Sequence, residues 1–279
     1  EIRLSLVGSE MCIRDRYKWS PDSNFIAFIR EDQTYVKKFP LVDYEAQYPV
    51  VKYIRYPKTG EDNPIVSISI LDLENKEYRS VHLPDTAYYN KDIVWKKNSN
   101  NLYFVTLNRK QNNWSLYKYD FTTNGGDLVL NDSNDSWVDK KSFFTPNNDG
   151  SWTSRGGFSF AIMENGELVW ISEKDGFKHI YRNRLDGRPI NQITRGEWEV
   201  NSINAIDANN GIIYFSAKKE TETENHLYSI RFNGSRLKRI TKEKPRKTRW
   251  SLGAHCALRS STHLRQGRIA FCHQQTPQA

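Results

Sequence analysis

Apolar and polar positions recur along this chain in a fixed order, with a period of about 45 residues. Three pairs of matched segments carry the repeat in the same order: LVWIS at 168–172 with IYFSA at 213–217, HIYRNRLDG at 179–187 with HLYSIRFNG at 226–234, and QIT at 192–194 with RIT at 239–241. Each unit predicts a strand, a loop, a second strand closed by Asp-Gly or Asn-Gly, and a short third strand. Because these dipeptides supply the positive φ angles of tight hairpin turns, adjacent strands are expected to be antiparallel.

Looser copies of the unit precede these two. WSPDSNFIAFI begins at Trp19, and a further copy runs from Trp95 to Asp120. A period near 45 residues with several strands per unit is typical of propeller blades. We therefore predict an all-β fold over residues 17–243, a partial β-propeller with four to five blades of four-stranded antiparallel sheets in an incomplete ring.

Two segments interrupt the repeat. The segment 37–64 contains four prolines and five aromatic residues, and since proline cannot donate to a central ladder it is expected to project as an edge arm or a long hairpin. The segment SWTSRGG at 151–157 is predicted to be a polar loop before a strand at 158–163.

The two ends of the chain differ from the body. Residues 1–16 show no blade pattern and resemble a sequencing artefact more than a domain. From Lys244 to Ala279 there are seven Lys and Arg and no Asp or Glu, which suggests a reading-frame slip near Lys244, or alternatively a basic disordered tail.

The excess of basic residues and the cysteines are likewise confined to the terminal segments. The formal net charge is +8, but the excess lies in the basic tail, so the folded body lacks the basic face that nucleic-acid binding requires. All three cysteines lie in the terminal segments, which excludes a disulfide framework for the body. No stretch approaches the roughly 18 apolar residues of a membrane helix.

The sequence offers no catalytic, cofactor or metal site. Ser159 lies in GFSFA, which lacks the second Gly of a G-x-S-x-G nucleophile elbow and sits in a strand pattern. The tail holds a cluster of potential zinc ligands, but its pairs are adjacent in sequence, which rarely lets both side chains reach one ion: His255, Cys256, His263, Cys272 and His273.

Other polar and aromatic residues are interpreted structurally. His179 and His226 occupy the same place in successive units, which favours a hydrogen-bonded structural role over catalysis. Glu197 and Glu199 are expected to share one face of a strand, as exposed residues or partners of basic side chains, with an acidic pair for a ligand ammonium as the alternative. Five tryptophans in or beside predicted strands are expected in cores between blades: Trp19, Trp95, Trp137, Trp170 and Trp198.

Several strings, in one order over about residues 17–241, together resemble the propeller of the dipeptidyl-peptidase IV family: WSPDSNFIAF, YPVVKYIRYPKTGEDNP, LNRKQN, SEKDGFKHIY and GEWEV. The resemblance implies a serine peptidase that removes dipeptides from peptide N-termini, with an eight-bladed propeller before an α/β-hydrolase domain. The propeller would gate access and hold the substrate's amino group through glutamates upstream of Trp19, a place that residues 1–16 fill without a match. It would also place substrate contacts after Trp137 and Val138, where this chain reads Asp139-Lys140-Lys141.

The resemblance also suggests partners. The arm matches a propeller extension that packs against a second subunit, so we expect a homodimer contact through Tyr44, Tyr48, Tyr53 and Tyr56. Peptide substrate would bind with a catalytic domain that this chain lacks, and the family favours a periplasmic or membrane-associated extracytoplasmic location. The alternative is a stand-alone propeller that acts as a protein-binding scaffold.

Overall fold

The computed structural model describes residues 17–45, 47–84, 89–96, 99–139, 143–144 and 152–241, and the regular structure within these ranges is entirely β. Their strands form four large sheets and one two-stranded hairpin. The chain divides into two compact units, 1–131 and 132–279.

The first unit contains two four-stranded sheets. The first has the order β1-β2-β5-β6, formed by β1 (Tyr17–Trp19), β2 (Phe25–Asp32), β5 (Ile65–Asp72) and β6 (Glu77–Ser80). The second has the order β10-β9-β8-β7, formed by β7 (Tyr89–Trp95), β8 (Leu102–Leu107), β9 (Asn113–Asp120) and β10 (Gly125–Ser133), whose last two residues belong to the second unit.

One apolar core joins the two sheets of the first unit. It combines Ala27 and Ile68 of the first sheet with Ile93, Leu102 and Phe104 of the second, all fully buried. Burial of this apolar area between two sheet faces is the main stabilising term for such a pair.

The arm at 37–64 is a hairpin, as predicted. Its strands β3 (Lys38–Asp43) and β4 (Val50–Arg55) pair antiparallel in a sheet of their own. The arm leaves the first sheet where the β2–β5 ladder ends, at the pair Asp32↔Ile65. Arg55 fixes its base by donating to the carbonyls of Thr34 and Val36 at 2.9 and 2.8 Å.

The second unit contains two five-stranded sheets. The third sheet has the order β11-β13-β14-β15-β16, formed by β11 (Phe143–Phe144), β13 (Phe160–Ile162), β14 (Glu167–Ser172), β15 (His179–Arg184) and β16 (Pro189–Gln192). The fourth has the order β12-β17-β18-β19-β20, formed by β12 (Trp152–Phe158), β17 (Glu199–Asp207), β18 (Ile212–Lys218), β19 (His226–Arg231) and β20 (Lys238–Arg239). The pair β11–β13 is parallel, and the other ladders are antiparallel.

The segment predicted as a polar loop at 151–157 is a strand over most of its length, so that prediction was wrong. β12 pairs with β17 through Trp152↔Ile206, Thr153↔Ala205 and Phe158↔Ile203, with an irregularity between Thr153 and Phe158. Gly157 (φ +73°) lies so close to β17 that a Cβ there would collide with the side chain of Ser202. The composition suggested a loop because β12 is an edge strand whose partner lies far along the chain.

The predicted repeat is confirmed at its hairpins. β15 and β19 begin at His179 and His226, and each ends in a turn whose glycine has a positive φ, 84° for Gly187 and 82° for Gly234. In each turn the glycine N–H donates to the carbonyl three residues earlier, at 3.0 and 2.8 Å. This is a type I turn followed by a left-handed residue, so the glycine alone supplies the positive φ.

The tryptophans divide between core and surface. Trp170 and Trp95 are buried, at 1% and 7% exposed, and Trp198 packs partly buried against the core between the third and fourth sheets. Trp19 and Trp137 are 53% and 48% exposed, so the prediction that they fill cores was wrong. Trp19 lies in the edge strand β1, and Trp137 lies in the loop after β10.

Candidate functional site

The repeated histidines are structural, as the sequence suggested. Each ring is 1% exposed. His179 Nδ1 lies 3.1 Å from Thr194 Oγ1, and His226 Nδ1 lies 3.2 Å from Thr241 Oγ1. Each threonine hydroxyl also accepts the backbone N–H that follows the histidine, at 2.9 and 3.1 Å. The same group of a histidine ring, a threonine hydroxyl and a backbone N–H therefore links the strand that begins at the histidine to the segment that carries the threonine, once in the third sheet and once in the fourth.

The partners of both rings fix one tautomer. His179 Nε2 lies 2.9 Å from the Gly196 carbonyl, which can only accept, so Nε2 carries the proton and Nδ1 accepts. His226 Nδ1 accepts from the Arg239 guanidinium at 3.2 Å, and its Nε2 faces the Glu224 carboxylate at 3.2 Å. A fully partnered ring buried in a sheet cannot reach a substrate as a base.

The remaining sequence candidates do not form an active site. Ser159 lies between β12 and β13, away from any strand-to-helix turn. Glu197 precedes β17 and only Glu199 belongs to it, so the expected pair on one strand face is wrong. No metal-binding cluster occurs in the part of the chain that the structure describes, and the five potential zinc ligands lie outside that part.

The second unit contains a pocket between the loop after β10 and the β14–β15 corner, at the stretch after Trp137 where the resemblance implied substrate contacts. We call it the Trp137 pocket, and six of its lining residues carry its polar and aromatic character: Asp132, Trp137, Asp139, Ser172, Glu173 and Lys178. Asp139 and Lys178 lie far apart in the sequence, so only the pairing of the strands brings them together.

An ion-pair network spans the pocket. Lys178 Nζ lies 2.8 Å from Asp139 Oδ2 and 3.3 Å from Glu173 Oε1. Burial opposes the charged form of Lys178, but the carboxylates of Asp139 and Glu173 outweigh it and raise the pKa of the lysine. Lys178 is therefore an ammonium that links the loop to the corner.

A second link joins the end of β10 to the β14–β15 corner. Ser172 Oγ donates to Asp132 Oδ1 at 2.7 Å, and Asp132 is 6% exposed. Next to it, Lys174 places its ammonium 3.9 Å from the Tyr181 ring centroid, a cation–π contact. Burial and the Asp175 carboxylate raise the pKa of the Tyr181 hydroxyl.

No histidine lines the pocket among the described residues, and the Ser172 hydroxyl donates to the Asp132 carboxylate. An exposed indole beside paired charges suits contacts with a polar chain such as a peptide. Of the stretch where the resemblance places substrate contacts, Asp139 lines the pocket, and Lys140 and Lys141 lie outside the described residues.

The arm tyrosines are all exposed. Tyr44, Tyr48, Tyr53 and Tyr56 are 76%, 78%, 66% and 55% accessible. They are therefore open to contact with another surface. The predicted dimer contact stays a prediction.

Comparison with known families identifies one that spans both units. Residues 7–263 match the family described as the dipeptidyl peptidase IV (DPP IV) N-terminal region. Among curated relatives, the probable dipeptidyl-aminopeptidase B of Aspergillus niger is 30% identical over 247 residues, covering 80% of this chain and 26% of the relative. The probable dipeptidyl-aminopeptidase B of Coccidioides posadasii is 30% identical over 249 residues, covering 81% and 26%.

Solved structures agree on the fold. The chain is similar to the crystal structure of Porphyromonas gingivalis dipeptidyl peptidase 4 with a TM-score of 0.70 and 30% identity, covering 82% of this chain and 31% of that one. A putative dipeptidyl aminopeptidase IV from Bacteroides ovatus gives a TM-score of 0.61 at 20% identity, covering 80% and 32%, which supports the fold alone. The predicted partial β-propeller is confirmed, with four open blade-like sheets. The chain spans between a quarter and a third of the length of these proteins.

Proposed function

Because this chain belongs to the family of the dipeptidyl peptidase IV N-terminal region, we propose that it is the non-catalytic propeller of an enzyme that removes dipeptides from peptide N-termini. The observation that carries the proposal is the family match, which extends across both units. The described residues contain no helix, so they hold no part of an α/β-hydrolase domain, and catalysis would reside elsewhere in the protein.

We assign the propeller two tasks in that enzyme, gating access of the peptide and dimerisation. Gating fits a pocket whose charges are internally paired, since such a surface can guide a peptide without holding it tightly. An extracytoplasmic location fits an enzyme of this class. No helix in the described part of the chain could cross a membrane.

The decisive experiment compares the full-length protein with this chain. We expect the full-length protein to release the chromophore from a dipeptidyl p-nitroanilide with proline in second position, and the chain alone to release none. A coding sequence that continues into a G-x-S-x-G motif followed by Asp and His would support the peptidase function. A stop after one more blade, with no activity in the complete product, would instead favour the scaffold function.

The dimerisation proposal rests on the surface of the arm. Its alternating register places apolar side chains on both faces, with Leu41 and Ile54 on one and Val42 and Val51 on the other. These four side chains are 40–46% exposed. An isolated two-stranded hairpin is only marginally stable in water, and exposed apolar patches of this kind mark interfaces. A second copy of the chain is the partner that we propose for it.

Deleting the arm tests this. Replacing residues 33–64 by Asn-Gly joins Asp32 to Ile65, which already face each other in the β2–β5 ladder, by a two-residue hairpin turn. In the full-length protein we expect this variant to sediment as a folded monomer, and changing Tyr44, Tyr48, Tyr53 and Tyr56 together to Ser to weaken the dimer. Tyr78→Ser, at an exposed site outside the arm, is the control. An intact dimer after the deletion would refute the contact.

A further inference from the structure

The two ends of the arm are fixed to different parts of the first unit. Where the chain enters the arm, Val36 is 3% exposed and its N–H donates to the Gln33 carbonyl at 3.0 Å. Where the chain returns, Asn63 Nδ2 donates to the Tyr89 hydroxyl at 2.8 Å. Tyr89 is the first residue of β7, so the returning chain is bonded to the second sheet although the arm emerges from the first.

A second contact joins the returning chain to the same end of the second sheet. Arg109 lies in the turn between β8 and β9, and its guanidinium lies 3.4 Å from the Glu61 carbonyl oxygen. Tyr89 pairs with Leu107, the last residue of β8, two positions before Arg109. Tyr89 and Arg109 therefore contact the segment 61–63 from one end of the second sheet.

These contacts differ in how firmly they hold the returning chain. Glu61 Oε1 lies 2.7 Å from Lys37 Nζ, but the lysine side chain is 77% exposed, so water and salt screen this ion pair. The bond from Arg109 is long and exposed. The bond between Asn63 and Tyr89 is short and partly buried, which makes it the strongest of the three constraints.

The backbone beside this bond is stiff. Only Pro64 separates Asn63 from Ile65, where β5 begins. Proline fixes its own φ and restricts the backbone of the residue before it. A side-chain bond at Asn63 therefore determines the angle at which the returning chain meets the first sheet.

We propose that Tyr89 is a positioning residue that, through Asn63, sets the direction of the arm and so presents its surface to a second copy of the chain. This inference rests on the proposed dimerisation. A hairpin that pivots at its base loses that freedom when it docks, and in a symmetric pair both arms lose it. The bond to Tyr89 orders the arm before association and thereby lowers this cost.

The test measures the dissociation constant of the full-length dimer by sedimentation over a range of concentrations. Tyr89→Phe keeps the ring and removes the hydroxyl, and it should raise the dissociation constant about three- to tenfold, the effect of one lost hydrogen bond. Asn63→Leu should raise it by a similar factor. The variant with both changes should be no worse than either alone, because both break the same bond. Tyr78→Phe, at an exposed tyrosine of β6, is the matched control and should equal the parent.

Hydrogen exchange provides a readout that does not depend on dimerisation. At concentrations where the parent is monomeric, exchange of residues 56–63 should increase in Tyr89→Phe and in Asn63→Leu, and not in Tyr78→Phe. Exchange of β8 and β9 should stay as in the parent, since the change is local. General loss of stability would raise exchange throughout the second sheet instead.

The outcomes distinguish the two proposals. If deletion of the arm gives a monomer but Tyr89→Phe and Asn63→Leu keep the parental dissociation constant, the positioning role is overturned and the dimerisation proposal stands. Additive losses in the double variant would also overturn the positioning role. A dimer that survives deletion of the arm would overturn both proposals.

Discussion

At the scale of single residues, the exposed fraction distinguishes tryptophans that fill the core from tryptophans that lie on the surface. Trp170 is 1% exposed and donates from Nε1 to Asn183 Oδ1 at 2.9 Å, so it satisfies both its apolar and its polar surface inside the third sheet. Trp137 is nearly half exposed in a loop. The sequence predicted a core position for both tryptophans because both lie beside apolar runs. Whether another sheet packs over the ring decides its exposed fraction, and only the fold shows that.

The two tryptophans give a matched prediction of stability. Trp170→Ala removes a buried ring and leaves Asn183 Oδ1 without the indole N–H that donates to it, and it should lower the free energy of unfolding by about 3–5 kcal/mol. Trp137→Ala should cost about 1 kcal/mol or less, as expected near the surface. Urea unfolding of both variants in the full-length protein, followed by tryptophan fluorescence, measures the difference. Equal losses would contradict the assigned burial.

The hairpin turns show how much the sequence can predict at the scale of elements. The spacing of His179, His226, Gly187 and Gly234 predicted the blade hairpins, because turn chemistry and strand alternation are local. The strand β12 was not predictable in this way. Its ladder depends on β17, whose residues lie far along the chain, and an edge position tolerates Ser and Gly that a central strand would not.

The turn glycines provide a test. Gly234 has a φ of +82° and a Cβ there would lie 2.9 Å from the Ile193 carbonyl oxygen, whereas Gly176 has a φ of +98° and nothing within 4 Å. Both alanine variants incur the cost of a left-handed backbone, about 1–2 kcal/mol, but only Gly234→Ala also pushes the turn away from Ile193, the residue that follows β16. We expect the lower melting temperature for Gly234→Ala by calorimetry. Equal melting temperatures would show that the turn shifts freely.

At the scale of the whole molecule, sequence predicted the class of fold and four to five blades, and the described residues form four large sheets. The repeat predicted stacked sheets, and each unit does pack one sheet face on another through a single core. The resemblance pointed to the loop side of the pocket, but the residues of the β14–β15 corner that complete it carry no motif and were missed. Charge pairing of this kind becomes visible only once Asp139 and Lys178 are placed side by side.

The described residues form four blade-like sheets, whereas the family resemblance implies eight blades. This difference predicts how the isolated chain behaves in solution. A partial ring is expected to expose blade faces that would otherwise pack on neighbouring blades, so the isolated chain should self-associate. Size-exclusion chromatography with light scattering should find concentration-dependent oligomers, and the full-length protein should elute as one defined species. A stable monomer of the isolated chain would mean that its sheets close by themselves.

The placement of β12 in the fourth sheet also affects how the protein is made. The ribosome delivers Trp152–Phe158 before Phe160–Ile162 of the third sheet, yet the ladder that orders this strand requires Glu199–Asp207. Vectorial folding sheet by sheet is therefore interrupted here, since β12 must wait for about forty further residues, including most of the third sheet, before its partner β17 in the fourth sheet is made. The two blades of the second unit should consequently mature together, in one step during translation.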